Sequence, residues 1–132
     1  MKTIYLCGPI MEESTGVARE WRKIAGKKLS KSFVLLDPMR RNFKDREVDS
    51  ANEIVEFDLQ DIRNADILLV NYSKPSIGTA MEIVYAANNL HKFVVAFSPF
   101  DFKNSSPWMV RYCTKILPSL DAAVDYLKSH FC

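Results

Sequence analysis

The feature that most constrains this chain is a set of short apolar runs with no polar break. Ile67-Leu68-Leu69-Val70 and Phe93-Val94-Val95-Ala96-Phe97 offer no face of a strand that could meet water. A half-exposed strand alternates in polarity. One covered on both sides does not, and covering both sides of a sheet takes a layer of helices on each. Residues 2–7 and Phe33-Val34-Leu35-Leu36 repeat the pattern, and residues 115–117 supply a short fifth run. Between the runs lie segments with helical spacing. Residues 16–29 place Val17, Trp21, Ile24, Ala25 and Lys28 on one stripe, with Ser14 or Thr15 to cap it. A second helix starts at Ser50 or Asn52, carries Ile54, Phe57 or Asp58, Leu59 and Ile62, and stops at Asn64-Ala65. A third covers residues 79–90, a short one residues 106–113, and a last one follows Pro118-Ser119 with Leu120, Val124, Leu127 and Phe131. Five alternations of strand and helix predict an α/β fold. It is a Rossmann-like, five-stranded parallel sheet with helices on both faces and a flavodoxin-like strand order.

Size and charge narrow the function. At 132 residues, one domain spanning 1–132 is expected, and 48% hydrophobic residues suffice for a core. Eighteen Lys and Arg against sixteen Asp and Glu leave a net charge of +2, too little for a nucleic-acid polymer to be the expected partner. The apolar runs are too short to cross a bilayer, so no membrane partner is expected either. Cys7, Cys113 and Cys132 are odd in number and widely spaced, which fits neither a disulfide framework nor a closely spaced metal pair. No cleavage-site pattern follows residues 1–10, and a cytoplasmic location is expected.

In doubly wound sheets the ligand lies beyond the carboxyl ends of the strands, here residues 7–15, 37–50, 71–79 and 98–108. In Ser76-Ile77-Gly78-Thr79-Ala80-Met81-Glu82 a tight turn opens a helix whose free N–H groups and hydroxyls favour an anion. Glu82 is expected in the first helical turn, where the dipole holds its carboxylate charged, either as a nucleophile or only as a helix stabiliser. Asp58 and Asp61 are three residues apart on one helix. Asp58, between Phe57 and Leu59, is read either as a half-buried general acid or as an ion-pair partner of Arg63, and Asp61 as solvated. Gly8 in Cys7-Gly8-Pro9-Ile10 would let a ligand approach the backbone. The Tyr5 hydroxyl could orient a carboxylate or simply belong to the core. Arg19, Arg22, Arg40 and Arg41 could meet a phosphate, although arginines of this kind are mostly solvated. Ser105, Ser106 and Trp108 offer hydroxyls and an aromatic face, and His91 and His130 read as surface residues.

Three segments occurring in order resemble the nucleoside 2-deoxyribosyltransferase superfamily. They are Ile4-Tyr5-Leu6-Cys7-Gly8-Pro9-Ile10, Phe57-Asp58-Leu59-Gln60-Asp61-Ile62 with Ala65-Asp66-Ile67, and Pro75-Ser76-Ile77-Gly78 with Glu82 and Tyr85-Ala86. The resemblance implies Glu82 as nucleophile at the anomeric carbon, Asp58 as acid and base at the nucleobase, and Tyr5 as the residue that orients Glu82. Gly8, Pro9, Ile10, Ser76 and Gly78 would line the substrate. Where the transferases carry an aspartate that holds a free 5′-hydroxyl, this chain has Ser76. In that respect it resembles the branch that hydrolyses 2′-deoxynucleoside 5′-monophosphates, whose serine meets the phosphate; Ser105 or Ser106 would match a second phosphate-binding serine from a neighbouring subunit. Met11-Glu12-Glu13-Ser14-Thr15-Gly16 departs from that branch's arginine-containing stretch, so Arg19, Arg22, Arg40 or Arg41 would have to supply the charge. The expected function is release of the base from a 2′-deoxynucleoside 5′-monophosphate. Base exchange by a 2-deoxyribosyltransferase and a non-catalytic nucleotide-binding module are the alternatives. No metal or other cofactor is expected, and a homodimer or larger homo-oligomer is.

Overall fold

The computed structural model describes residues 1–43, 45–101 and 106–132. Its centre is a parallel sheet in which β1 (Thr3–Cys7) lies between β2 (Val34–Leu36) and β3 (Ile67–Asn71), with β4 (Phe93–Phe97) and β5 (Lys115–Leu117) beyond β3. The order β2-β1-β3-β4-β5 is the flavodoxin-like one expected, with Tyr5 opposite Leu68 and Leu69 opposite Val95 in the register. The chain leaves β1 toward one side of the sheet and β3 toward the other, so a crevice opens above their carboxyl ends. Gly8 and the loop after Asn71 flank that crevice.

The two-residue period of the strands divides the core into two layers. Ile4, Leu6, Ile67, Leu69 and Val95 pack under α1 (Thr15–Leu29) and α5 (Leu120–Phe131). Tyr5, Cys7, Leu68, Val70 and Val94 face α2 (Ala51–Asn64), α3 (Ile77–Val84) and α4 (Pro107–Tyr112). Each fully buried Leu or Ile contributes about 1.5–3 kcal/mol, so the unbroken runs in β3 and β4 account for much of the stability. The consequence for function is simple: Tyr5 and Cys7 share a face, and it is the face that carries α3.

Several sequence expectations need correction. The buried stripe of α1 is Ala18, Trp21, Arg22, Ala25 and Leu29, not the row through Val17 and Lys28. Val17 is 54% exposed, and Lys28 reaches across to Asp121. The Phe33–Leu36 run is not covered on both faces, because β2 is an edge strand on which Val34 is exposed. Ser50 precedes α2 without a capping hydrogen bond, whereas the Ser14 hydroxyl does cap α1 by accepting from the Val17 N–H. The third helix begins at Ile77 rather than at residue 79. It is α-helical only to Val84 and continues as a π-helical turn over Tyr85–Asn89. Gly8 has no room for a side chain, since a Cβ there would meet Trp21 Cζ2 at 3.0 Å and Asn71 Cβ at 3.2 Å. Its visible role is to let α1 close against β3. No helix among the described residues is long and apolar enough to cross a membrane.

Candidate active site

α3 brings Glu82 over the face of β1 that carries Tyr5 and Cys7. The Tyr5 hydroxyl donates to Glu82 Oε2 at 2.6 Å, and the Cys7 thiol points at Glu82 Oε1 from 3.6 Å. Tyr5 is therefore both a core residue and a partner of the carboxylate. Burial, then the charge of Glu82, pushes its phenol well above the usual range, so it donates at any working pH. Cys7 was not singled out by the sequence. Its place two residues after Tyr5 was the available signal, because strand residues at i and i+2 share a face.

Glu82 is the sixth residue of α3, not part of its first turn, and the dipole argument does not hold. Burial is the larger influence. Together with the nearby Asp58 charge, and against the hydrogen bonds of Tyr5 and Cys7, it raises the carboxyl to about 7. The π-helical turn begins three residues later, a local departure that often accompanies functional sites.

Asp58 sits half-buried on α2, and burial, only partly offset by Arg41, raises it to about 6. Its partner is Arg41 at 3.5 Å rather than Arg63, which donates to Tyr85 Oη and Gln60 instead. Asp61 is not solvated but buried. It accepts from Arg40 at 2.7 and 2.9 Å and from Arg41 at 2.7 Å. Burial alone would raise its carboxyl; the hydrogen bonds and charges of Arg40 and Arg41 outweigh that and lower it. Arg22 is not solvated either. At 2% exposure it donates to the carbonyls of Leu6, Ala18 and Gly8 and so pins α1 to the end of β1.

At the head of α3, the Ser76 hydroxyl caps the helix by accepting from the Thr79 N–H at 3.3 Å. A carboxylate from the acidic stretch at residues 11–16 meets this hydroxyl, a contact that no spacing in the sequence specifies. Glu12, from the loop after β1, accepts from Ser76 Oγ at 3.1 Å and from the Ile77 N–H at 3.3 Å. Pro9 is buried and lines a small cavity together with Trp21 and Asn71, and Ile10 is half-buried. Gly78 lies one helical turn before Glu82, and the space where its Cβ would stand is open. Arg19 is on the exposed side of α1, outside this group. Ser106 caps α4 through the Met109 N–H, Trp108 is 68% exposed, and Ser105 lies outside the described residues. A cleft of about 410 Å³ lies beside Met81 and Tyr85, and none of Tyr5, Asp58 or Glu82 lines it. Among the described residues no three His, Cys, Asp or Glu side chains converge as metal ligands.

Two carboxylates with raised proton affinity, one held by a tyrosine, come together on the side of the parallel sheet that carries α2 and α3. The nucleoside 2-deoxyribosyltransferase family model matches residues 4–112, which takes in every element of that arrangement. The chain belongs to this family. Its members transfer or hydrolyse N-glycosyl groups of nucleosides or nucleotides. Among solved structures, the 2-deoxyribosyltransferase of Bacillus psychrosaccharolyticus is similar at a TM-score of 0.70 and 18% identity, covering 94% of this chain and 91% of that one. The CMP N-glycosidase BcmB of Clostridium botulinum is similar at 0.66 and 16%, covering 98% and 100%. The response regulator TrrA of Thermotoga maritima reaches 0.57 at 8% identity, covering 98% of each chain, so the sheet alone does not specify the chemistry. No curated protein matches the chain by sequence.

Proposed function

We propose that this family member cleaves the N-glycosidic bond of a 2′-deoxynucleoside through Glu82 and Asp58. The observation that carries the reading is the 2.6 Å hydrogen bond from Tyr5 to Glu82. It fixes one carboxylate oxygen and leaves the group positioned for attack at C1′. As the C1′–N bond breaks, its electron pair passes to the base and Asp58 delivers a proton there. Glu82 is left as a deoxyribosyl ester. Water or a second base then attacks C1′ and frees Glu82, with the Asp58 carboxylate taking the proton of the incoming group. This is the two-carboxylate logic of retaining glycosidases. The missing 2′-hydroxyl eases positive charge at C1′ and favours deoxyribose.

Two readings of the substrate follow from different residues. Ser76 at the head of α3 supports hydrolysis of a 5′-monophosphate, because a hydroxyl can donate to phosphate. Glu12 on that same hydroxyl supports a free nucleoside and base exchange. Ile77 and Met81 on α3 are 75% and 68% exposed, and this apolar surface beside the site supports a homodimer or larger homo-oligomer. The test is a panel of 2′-deoxynucleosides and their 5′-monophosphates, each with and without an acceptor base, followed by chromatography. Base release without acceptor indicates the hydrolase, and release only with acceptor the transferase. Glu82→Ala should abolish both while binding persists. Binding by the wild type without release of base from any substrate would leave only a nucleotide-binding module.

A further inference from the structure

The loop after β1 brings a carboxylate to the head of α3, onto Ser76, the residue that the proposed function sets against the 5′ end of the substrate. Glu12 uses both oxygens there, one on the Ser76 hydroxyl and one on the first N–H of α3. A phosphate would bridge the same two donors with two of its oxygens, so the two groups compete for them. Glu12 is also held in place. Lys74 donates to the Glu12 carbonyl oxygen and, at 3.2 Å, to Glu13 Oε1. That ammonium is thereby engaged by the loop instead of facing a ligand. Ser76 is 7% exposed and accepts from the Thr79 N–H, so its one proton is already given to Glu12. Gly78, one turn before Glu82 on the same helix, adds no side chain between Glu82 and the head of α3.

We infer that Glu12 selects the 5′ end of the substrate, accepting a hydrogen bond from a free 5′-hydroxyl and rejecting a 5′-phosphate. The inference rests on the reading of Glu82 and Asp58 given above and adds the substrate class to it. A hydroxyl brings the proton that a carboxylate lacks. A phosphate dianion brings a like charge to a point whose donors are taken, and like charges set directly against each other are disfavoured. Ser76 read alone favours phosphate; the acid supplied from the opposite loop reverses that preference.

The experiment compares wild type, Glu12→Gln and Glu12→Ala on thymidine, deoxycytidine and their 5′-monophosphates. It measures kcat/KM for base release or exchange and, separately, Kd by calorimetry. Wild type should favour the free nucleosides in both measures. Both variants should lower that preference by about 10- to 100-fold, mostly through tighter binding of the monophosphates. A wild type that prefers the monophosphates, or variants whose preference is unchanged, would overturn the inference. If no base is released from any compound, the catalytic reading fails, and the calorimetric preference and its loss in the variants still decide the role of Glu12. If neither nucleosides nor monophosphates bind, both fail.

Discussion

Replacing Tyr5 with Phe removes one oxygen from a buried cluster and tests the centre of the proposed mechanism. The ring remains packed on α3, and only the 2.6 Å bond to Glu82 is lost. A hydrogen bond to a charged group is worth about 1.5–3 kcal/mol, equivalent to about 1–2 pKa units. Because the bond favours the ionised carboxylate, its loss moves Glu82 from about 7 to about 8–9. In the proposed mechanism the productive form has Glu82 ionised and Asp58 protonated, and wild-type kcat/KM should then peak midway between the two raised values, at about 6.5. There, about a quarter of Glu82 is ionised in the wild type, against about 3% or less in Tyr5→Phe. The variant should lose about 10- to 100-fold in kcat/KM at pH 6.5, and its optimum should flatten and move upward by about half a unit to one unit. The assay is base release from the best substrate between pH 4.5 and 9. An equal loss at every pH would mean that Tyr5 acts through packing alone. No loss at pH 6.5 would refute the role of the hydrogen bond.

Asp58→Asn should reduce kcat by about 100-fold or more and abolish the alkaline fall in the pH profile; persistence of that fall would assign it to another group. Glu82 also links stability to pH. Its folded value of about 7 exceeds the ordinary 4.5, so its contribution is fully present below about 4.5 and is lost as the pH rises to about 7. Urea unfolding of Glu82→Gln should lack up to about 3 kcal/mol of the wild-type decline over that interval, and parallel curves would show that Glu82 is not shifted. Arg22→Met leaves the buried carbonyls of Leu6 and Gly8 without their guanidinium donor. It should cost about 2–4 kcal/mol and lower Tm by about 10 °C; a change of only a degree or two would contradict a structural role for Arg22.

The sheet was readable because burial on both faces leaves no freedom of composition. A polar residue inside Ile67–Val70 would have no partner, so those runs announce central strands. The edges were less readable. Val34 belongs to an apolar run yet is exposed, since one side of an edge strand escapes the helices. On α1, the stripe was misplaced by one position because Arg22 is among its most buried residues. Its guanidinium is satisfied by backbone carbonyls that helical periodicity does not weigh. The pair Tyr5 and Glu82 came from family resemblance, and strand parity then explains why Cys7 joins them. Glu12 was signalled only as part of the acidic stretch at residues 11–16 that departs from the hydrolase branch. Its contact with Ser76 spans 64 residues and depends on the path of a loop, which neither spacing nor propensity specifies.

The two aspartates of α2 reveal why one acid can remain protonatable beside an arginine. Arg41 lies within reach of both, at 2.7 Å from Asp61 and 3.5 Å from Asp58, and it is steadied by stacking 4.8 Å above the Phe57 ring. Were Asp58 its only anion, the guanidinium would close to normal ion-pair distance and hold that carboxyl low. Asp61 prevents this by taking the short bond from Arg41 together with both contacts from Arg40. Asp58 then feels the cation only at the longer distance, burial prevails, and its carboxyl stays near 6. The charge of Asp61 also adds a small push in the same direction. A separation of three residues on a helix is what allows one guanidinium to meet both groups. One carboxylate therefore binds the arginines and leaves the other able to hold a proton up to about pH 6.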